Sequence, residues 1–143
     1  MNIYVASSWR NPHQPGVVQA LTDSGHDVYD FRNPEFAFHW EDVGIEYEQW
    51  TFEEFETALD HPLSVDAYQR DHDAMRLADV GIMVMPCGAS SHLEIGYFVG
   101  AGKPCAIFMS EGRPELMYKE VDLLTDDFDT IQDWLCELVD RGM

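Results

Sequence analysis

Basic residues are scarce in this chain. Two lysines and six arginines stand against 27 acidic residues among 143, a formal charge of −19. No basic stripe is available to neutralise a phosphate backbone, which excludes duplex nucleic acid as a partner. A small anionic substrate would have to be held by backbone amides, hydroxyls and one or two arginines, because the bulk field repels it. Cysteine is also scarce. Cys87, Cys105 and Cys136 are odd in number and far apart, which suits reduced thiols better than disulfides or zinc. No apolar run reaches the length of a membrane span, and the opening MNIYVASSWRN has neither a basic n-region nor a cleavage site. A cytoplasmic protein without a membrane partner is expected. The six histidines include no H-x-x-x-H or H-x-H pair. A metal-dependent hydrolase built on Asp71–Asp73 and His92 therefore falls behind, and no metal or cofactor is expected.

What is present is a foldable core. Apolar residues make up 45% of the chain and aromatics 13%, enough for one domain spanning 1–143. Short apolar runs alternate with helical patterns. Strands are expected at Asn2–Ser7, His26–Phe31, Asp79–Pro86, 104–109 and Val121–Thr125, and helices at Pro12–Ser24, Thr51–Leu59, Ser64–Ala78, Ser91–Ala101 and Asp126–Arg141. Such alternation predicts an α/β fold with a doubly wound, mostly parallel five-stranded sheet flanked by helices. Ligands then bind beyond the carboxyl ends of the strands. Two of those ends carry paired hydroxyls, Ser7-Ser8 and Ser90-Ser91, in turns that would offer donors to an anion or a sugar. Gly96, Gly100 and Gly102 follow one another inside and after a helix, which reads as close helix–sheet packing plus a terminal cap, not as a phosphate cradle.

Two carboxylates stand out. Val65, Tyr68, Met75 and Ala78 form an apolar stripe at helical spacing, and Asp71 falls in its middle, where a carboxylate is costly unless paired. Ser91-His92-Leu93-Glu94 has the S-x-x-E form of a capping box, so Glu94 has a purely structural reading as the polar start of a helix. A reacting carboxylate is the other reading, with the helix N-terminus helping to keep it ionised.

IYVASSW at the start, YQRDHDAMRLADVGIMVMP in the middle, HLEIGYFVGAGKP after it and PELMY near the end together resemble the nucleoside 2-deoxyribosyltransferase family and its nucleotide N-glycosidase relatives. The resemblance runs from Ile3 to about Tyr118. It implies a flavodoxin-like, Rossmann-like sandwich, usually oligomeric, that cleaves the bond between a base and its sugar. It further implies Glu94 as nucleophile, Asp71 as the group handling the proton on the base, and Tyr4 as the residue orienting Glu94. Two-carboxylate glycosidic chemistry needs such a set. The substrate, a nucleoside or nucleoside 5′-monophosphate, would meet Ser7, Ser8, Trp9, Arg10, Ser90, Ser91, His92, Phe38, Trp40 and Met117. Gly88 stands where the transferases carry an extra acid, and the late asparagine of the transferases has no counterpart near VDLLTDD. Arg10 suits the arginine that hydrolysing relatives use on a monophosphate. These departures favour hydrolysis over base exchange. The competing reading is a nucleotide-binding or sensing module without turnover. The rings of EFAFHWEDVGIEYEQW, among them Phe36, Phe38, Trp40, Tyr47 and Trp50, exceed what one base can stack on. They lead to the expectation of a homo-oligomer, most simply a dimer, against the alternative of a mini-core private to the loop.

Overall fold

The computed structural model describes all of residues 1–143. It divides into two compact units, one of Met1–Asp30 with Leu77–Met143 and one of Phe31–Arg76.

The first unit is built on five parallel strands, β1 (Asn2–Ala6), β2 (Asp27–Tyr29), β3 (Val80–Val84), β4 (Cys105–Phe108) and β5 (Leu123–Thr125), in the order β2-β1-β3-β4-β5. This is the flavodoxin-like order, with its switch point between β1 and β3. Every residue of β3 is buried, as a strand covered on both faces requires. On one face Ile3, Val5, Val80, Ile82, Val84 and Ala106 pack with Val17 and Leu21 of α1 (Gln14–Asp23) and Ile131, Leu135 and Leu138 of α5 (Phe128–Asp140). The alternate residues Tyr4, Gly81 and Met83 point to the other face, where α4 (Ala89–Gly100) buries Ser91, Ile95 and Phe98.

Gly81 decides how α4 sits. A β-carbon built on it would lie 2.6 Å from Cγ of Phe98 and within 3 Å of both ring Cδ atoms. The ring occupies the space that any other residue on β3 would fill. By contrast, Gly96 and Gly100 face open space, so the expected helix–sheet packing role does not belong to them. It belongs to a strand glycine across the contact. Gly102 is the expected cap: at φ +67° it follows Ala101, and its N–H and that of Lys103 return to Val99 and Phe98.

The second unit holds α2 (Phe52–Leu59) and most of α3 (Pro62–Leu77), preceded by 3₁₀ turns at Trp40–Asp42 and Tyr47–Gln49. Thr51 and Glu54 form a complete capping box at the start of α2, with reciprocal hydrogen bonds of 3.2 and 3.3 Å. The aromatic segment folds back on itself. Trp40 meets Phe38, Trp50 and Phe55 edge-on at centroid distances of 4.9, 5.8 and 5.9 Å, and Tyr47 meets Trp50 at 6.2 Å. Arg70 donates to the Phe36 carbonyl at 2.7 Å and lies 5.0 Å above its ring. On α3 the buried stripe differs from expectation: Val65 and Tyr68 are 48% and 65% exposed, while Ser64, Ala67, Met75 and Ala78 are buried. The displacement is confined to the N-terminal half, where Ser64 and Ala67 turn inward in place of Val65 and Tyr68, one residue or about 100° away; Met75 and Ala78 are buried as expected. Asp71 stays on the buried stripe, four residues from both Ala67 and Met75, and is half-buried.

Gly81→Ala tests the packing of α4. The ring body of Phe98 cannot swing away as a flexible chain end would, so the substitution should destabilise the protein by about 1–3 kcal/mol. Urea denaturation measures this, and Gly96→Ala, which meets open space, should be neutral or stabilising.

Candidate active site

The site grows from the carboxyl end of β1. Tyr4 is only 1% exposed, stacked on Tyr29 of β2 at 5.2 Å and tilted against Phe98 at 5.9 Å. A tyrosine hydroxyl buried this deeply needs a partner, and it donates to Oε2 of Glu94. Glu94 is in the second turn of α4, one turn ahead of Phe98 on the same face. The packing of Phe98 over Gly81 therefore also delivers Glu94 to Tyr4.

This geometry replaces the capping-box expectation. α4 begins at Ala89, not Ser91, with Gly88 as N-cap and no side chain capping it. Ser91 lies inside the helix and is 2% exposed, and the Cys87 thiol donates to Sδ of Met85 at 3.4 Å. Glu94 is too far along the helix to feel its N-terminus, whose field fades after the first turn. Burial governs it instead and raises its carboxyl from the ordinary 4.5 to about 7.

The loop after β1 is held by side chains on strand ends. Ser7 Oγ and Asn11 Nδ2 both donate to the Val84 carbonyl at 2.9 Å, and Asn11 also donates to Pro86 O at 3.0 Å. Asn11 Oδ1 accepts the His13 N–H at 2.7 Å, ahead of α1. Asn11, 2% exposed, thus ties the β1 loop to the end of β3, a role that no local sequence pattern discloses. Ser8 Oγ accepts the Arg10 N–H at 3.2 Å, and the side chains of Trp9 and Arg10 are exposed.

Other expected contact residues fall in several places. Ser90 is exposed on the first turn of α4. His92 and Met117 line a cavity of about 510 Å³ with Met85, Cys87, Arg113 and Tyr118, at the carboxyl ends of β3 and β4. Both ring nitrogens of His92 are engaged, with Gly88 O and Tyr118 OH. Phe38, Trp40 and Asp71 belong to the second unit. The first unit therefore brings Tyr4 to Glu94 and gathers Ser7, Ser8, Asn11 and Arg10 in one loop. The chemistry available there is that of a carboxyl group near half-ionisation at neutral pH, held by one hydrogen bond. No group of three or more His, Cys, Asp or Glu side chains is placed to hold a metal.

The burial of Glu94 has a stability signature. Below about pH 4.5 both folded and unfolded chains carry the proton; between 4.5 and about 7 the unfolded chain releases a proton that the folded chain keeps. Folding then loses stability as pH rises through that window. Glu94→Gln removes the titration, so the variant should gain on the wild type as pH rises from 4.5 and level off above about 7. Urea midpoints at a series of pH values measure the difference, and a flat difference would remove burial as the cause.

No family model matches the sequence, and no curated protein matches it. A solved structure does: a 2-deoxyribosyltransferase from the psychrotolerant bacterium Bacillus psychrosaccharolyticus, described as a biocatalyst for the synthesis of antiviral and antitumoral nucleosides. It is 23% identical, with a TM-score of 0.62, over 90% of this chain and 88% of that one. At this identity the likeness is one of fold, and the chain has the flavodoxin-like fold of that 2-deoxyribosyltransferase.

Proposed function

We propose that the protein cleaves the N-glycosidic bond of a (deoxy)nucleoside or nucleoside 5′-monophosphate, with 1–143 acting as one nucleoside deoxyribosyltransferase-like domain. The observation that carries this is the Tyr4 hydroxyl, at the centre of β1, donated to a half-buried Glu94 carboxyl whose desolvation raises it to about 7. A fold shared with a 2-deoxyribosyltransferase supports it.

In the proposed reaction the Glu94 carboxylate attacks C1′ of the sugar as the C1′–N bond breaks, and the bonding pair leaves with the base. Asp71 supplies the proton that the departing base takes up. Water, or a nitrogen of a second base, then attacks C1′, gives its proton back to Asp71 and releases the carboxylate, giving hydrolysis or transfer. Tyr4 orients Glu94 and favours its anion by hydrogen bonding, partly offsetting the burial that disfavours it. A sugar phosphate would be held by Ser7, Ser8, Ser90 and Arg10, beside the first turn of α4, which no side chain caps; Ser91, expected among these contacts, is 2% exposed inside the helix and cannot reach it. Trp9, Phe38, Trp40, His92 and Met117 complete the proposed contacts with base and sugar.

Nucleosides and nucleoside monophosphates, incubated with and without a second free base, separate hydrolysis from transfer by chromatography of the products. Binding without any product would favour the sensing module instead. Glu94→Gln keeps an acceptor for Tyr4 and should lower turnover by about three orders of magnitude or more. The acid limb of kcat/KM should lie near 7 and move higher in Tyr4→Phe, which removes a donor to the anion. Asp71→Asn should slow poor leaving groups most. Near-normal turnover in Glu94→Gln would sink the nucleophile.

Arg10→Ala addresses the phosphate. It should weaken monophosphates by about tenfold or more, the scale of one charge-assisted contact, while leaving the matching nucleosides nearly unchanged. Equal effects on both would take the phosphate out of the reading.

The protein is further proposed to work as a homo-oligomer, most simply a dimer. The rings of the aromatic segment are largely spent on one another, so the support comes instead from apolar side chains left at the surface of the second unit: Ile45, Phe52, Leu59, Leu63 and Val65. Salt screens the mutual repulsion of −19 charges, so assembly should strengthen with ionic strength. Sedimentation across a salt series should find it, and a monomer at micromolar concentration in concentrated salt would exclude it.

A further inference from the structure

The first turn of α4 is fastened from outside the helix. Nδ1 of His92 lies 2.7 Å from Gly88 O. A carbonyl only accepts, so Nδ1 carries the hydrogen. In the neutral ring Nε2 is then an acceptor, and the Tyr118 hydroxyl donates to it, also at 2.7 Å. The two rings lie nearly parallel, 25° apart, with centroids at 5.7 Å. Tyr118 is buried in the 3₁₀ turn Leu116–Glu120, and its hydroxyl is 3.8 Å from Sδ of Met85, just past β3. This one chain of contacts therefore joins the end of β3, the first turn of α4 and the turn that precedes β5.

Glu94 is two residues beyond His92, about 200° around the helix, so the pair cannot touch its carboxyl directly. It acts through the backbone. Phe98 seats the C-terminal half of α4 against Gly81, while the N-terminal turn, which lacks a side-chain cap, is held by His92. We propose that His92 and Tyr118 form a clasp that sets the height and rotation of this turn and thereby positions Glu94 against Tyr4. His92 then acts as a positioning residue. The proposal rests on the reading of Glu94 as the reacting carboxylate, and its first readout is independent of turnover.

That readout is the titration of the Glu94 side-chain carboxyl, followed by carbon NMR in the folded full-length protein. Tyr118→Phe removes one hydroxyl, and His92→Leu removes both bonds. Each should displace the carboxyl from Tyr4 and move its midpoint by about a unit or more from the wild-type value near 7, downward where water reaches the carboxyl and upward where only the Tyr4 donor is lost. His92→Gln, with an amide oxygen able to accept from Tyr118, should stay closer to the wild type. A role in global stability alone would leave the midpoint of the folded protein in place. Nitrogen NMR should also find the neutral His92 ring protonated at Nδ1. Where cleavage of a nucleoside is measured, Tyr118→Phe should lower kcat about tenfold with KM little changed, as a displaced reacting group requires. An unchanged Glu94 midpoint in folded Tyr118→Phe overturns the clasp, as does His92→Gln behaving like His92→Leu. A shifted midpoint in a protein that cleaves no nucleoside keeps the clasp and removes the glycosidic reading.

Discussion

A partly desolvated carboxyl group held against a buried phenol is the point on which the rest of the first unit converges. Removing the Glu94 carboxylate from solvent disfavours its charge, and the single donor from Tyr4 offsets only part of that cost. The result is an acid near half-ionisation at neutral pH, neither a surface glutamate nor a permanently neutral one. Its placement needs Tyr4 at a buried position of β1, Tyr29 stacked beside it, and a helix whose face reaches the sheet closely. That close approach exists because β3 has no side chain at Gly81.

The distribution of charge explains how such a site can coexist with a surface of −19. The acids lie mainly on exposed positions, where water screens them, whereas the loop after β1 and the start of α4 present hydroxyls and amides. Asn11 makes the loop rigid by using both ends of its carboxamide, and Ser7 shares the carbonyl of Val84 with it. Recognition built on neutral donors is largely independent of the long-range field. The field can therefore remain repulsive toward most anions while the site still offers donors at short range.

The second unit is stabilised differently. It has no sheet, and its order comes from edge-on contacts among tryptophan, tyrosine and phenylalanine rings, a full capping box at Thr51, and Arg70 clamped on Phe36. Ring packing of this kind satisfies itself without a long-range partner. This is why a segment too irregular for one clean helix or strand face still folds.

Alternation of apolar runs with helical patterns was enough to identify a parallel α/β sheet, because a strand buried on both faces reads as a continuous apolar run and each crossover needs a helix. Element ends moved by at most two residues, and the elements themselves stood. The same local pattern nevertheless had two fates. Thr51-Phe52-Glu53-Glu54 forms a capping box, while Ser91-His92-Leu93-Glu94 does not, since α4 starts two residues earlier and Glu94 finds Tyr4, 90 residues away in the chain. Likewise Gly96 and Gly100 looked like the packing device and a lone strand glycine, Gly81, proved to be it, while Gly102 caps the helix as expected. Which carboxyl, asparagine or glycine matters depends on what the folded chain brings against it. Spacing along a sequence carries propensity and periodicity, but burial and partnership arise only when distant segments meet.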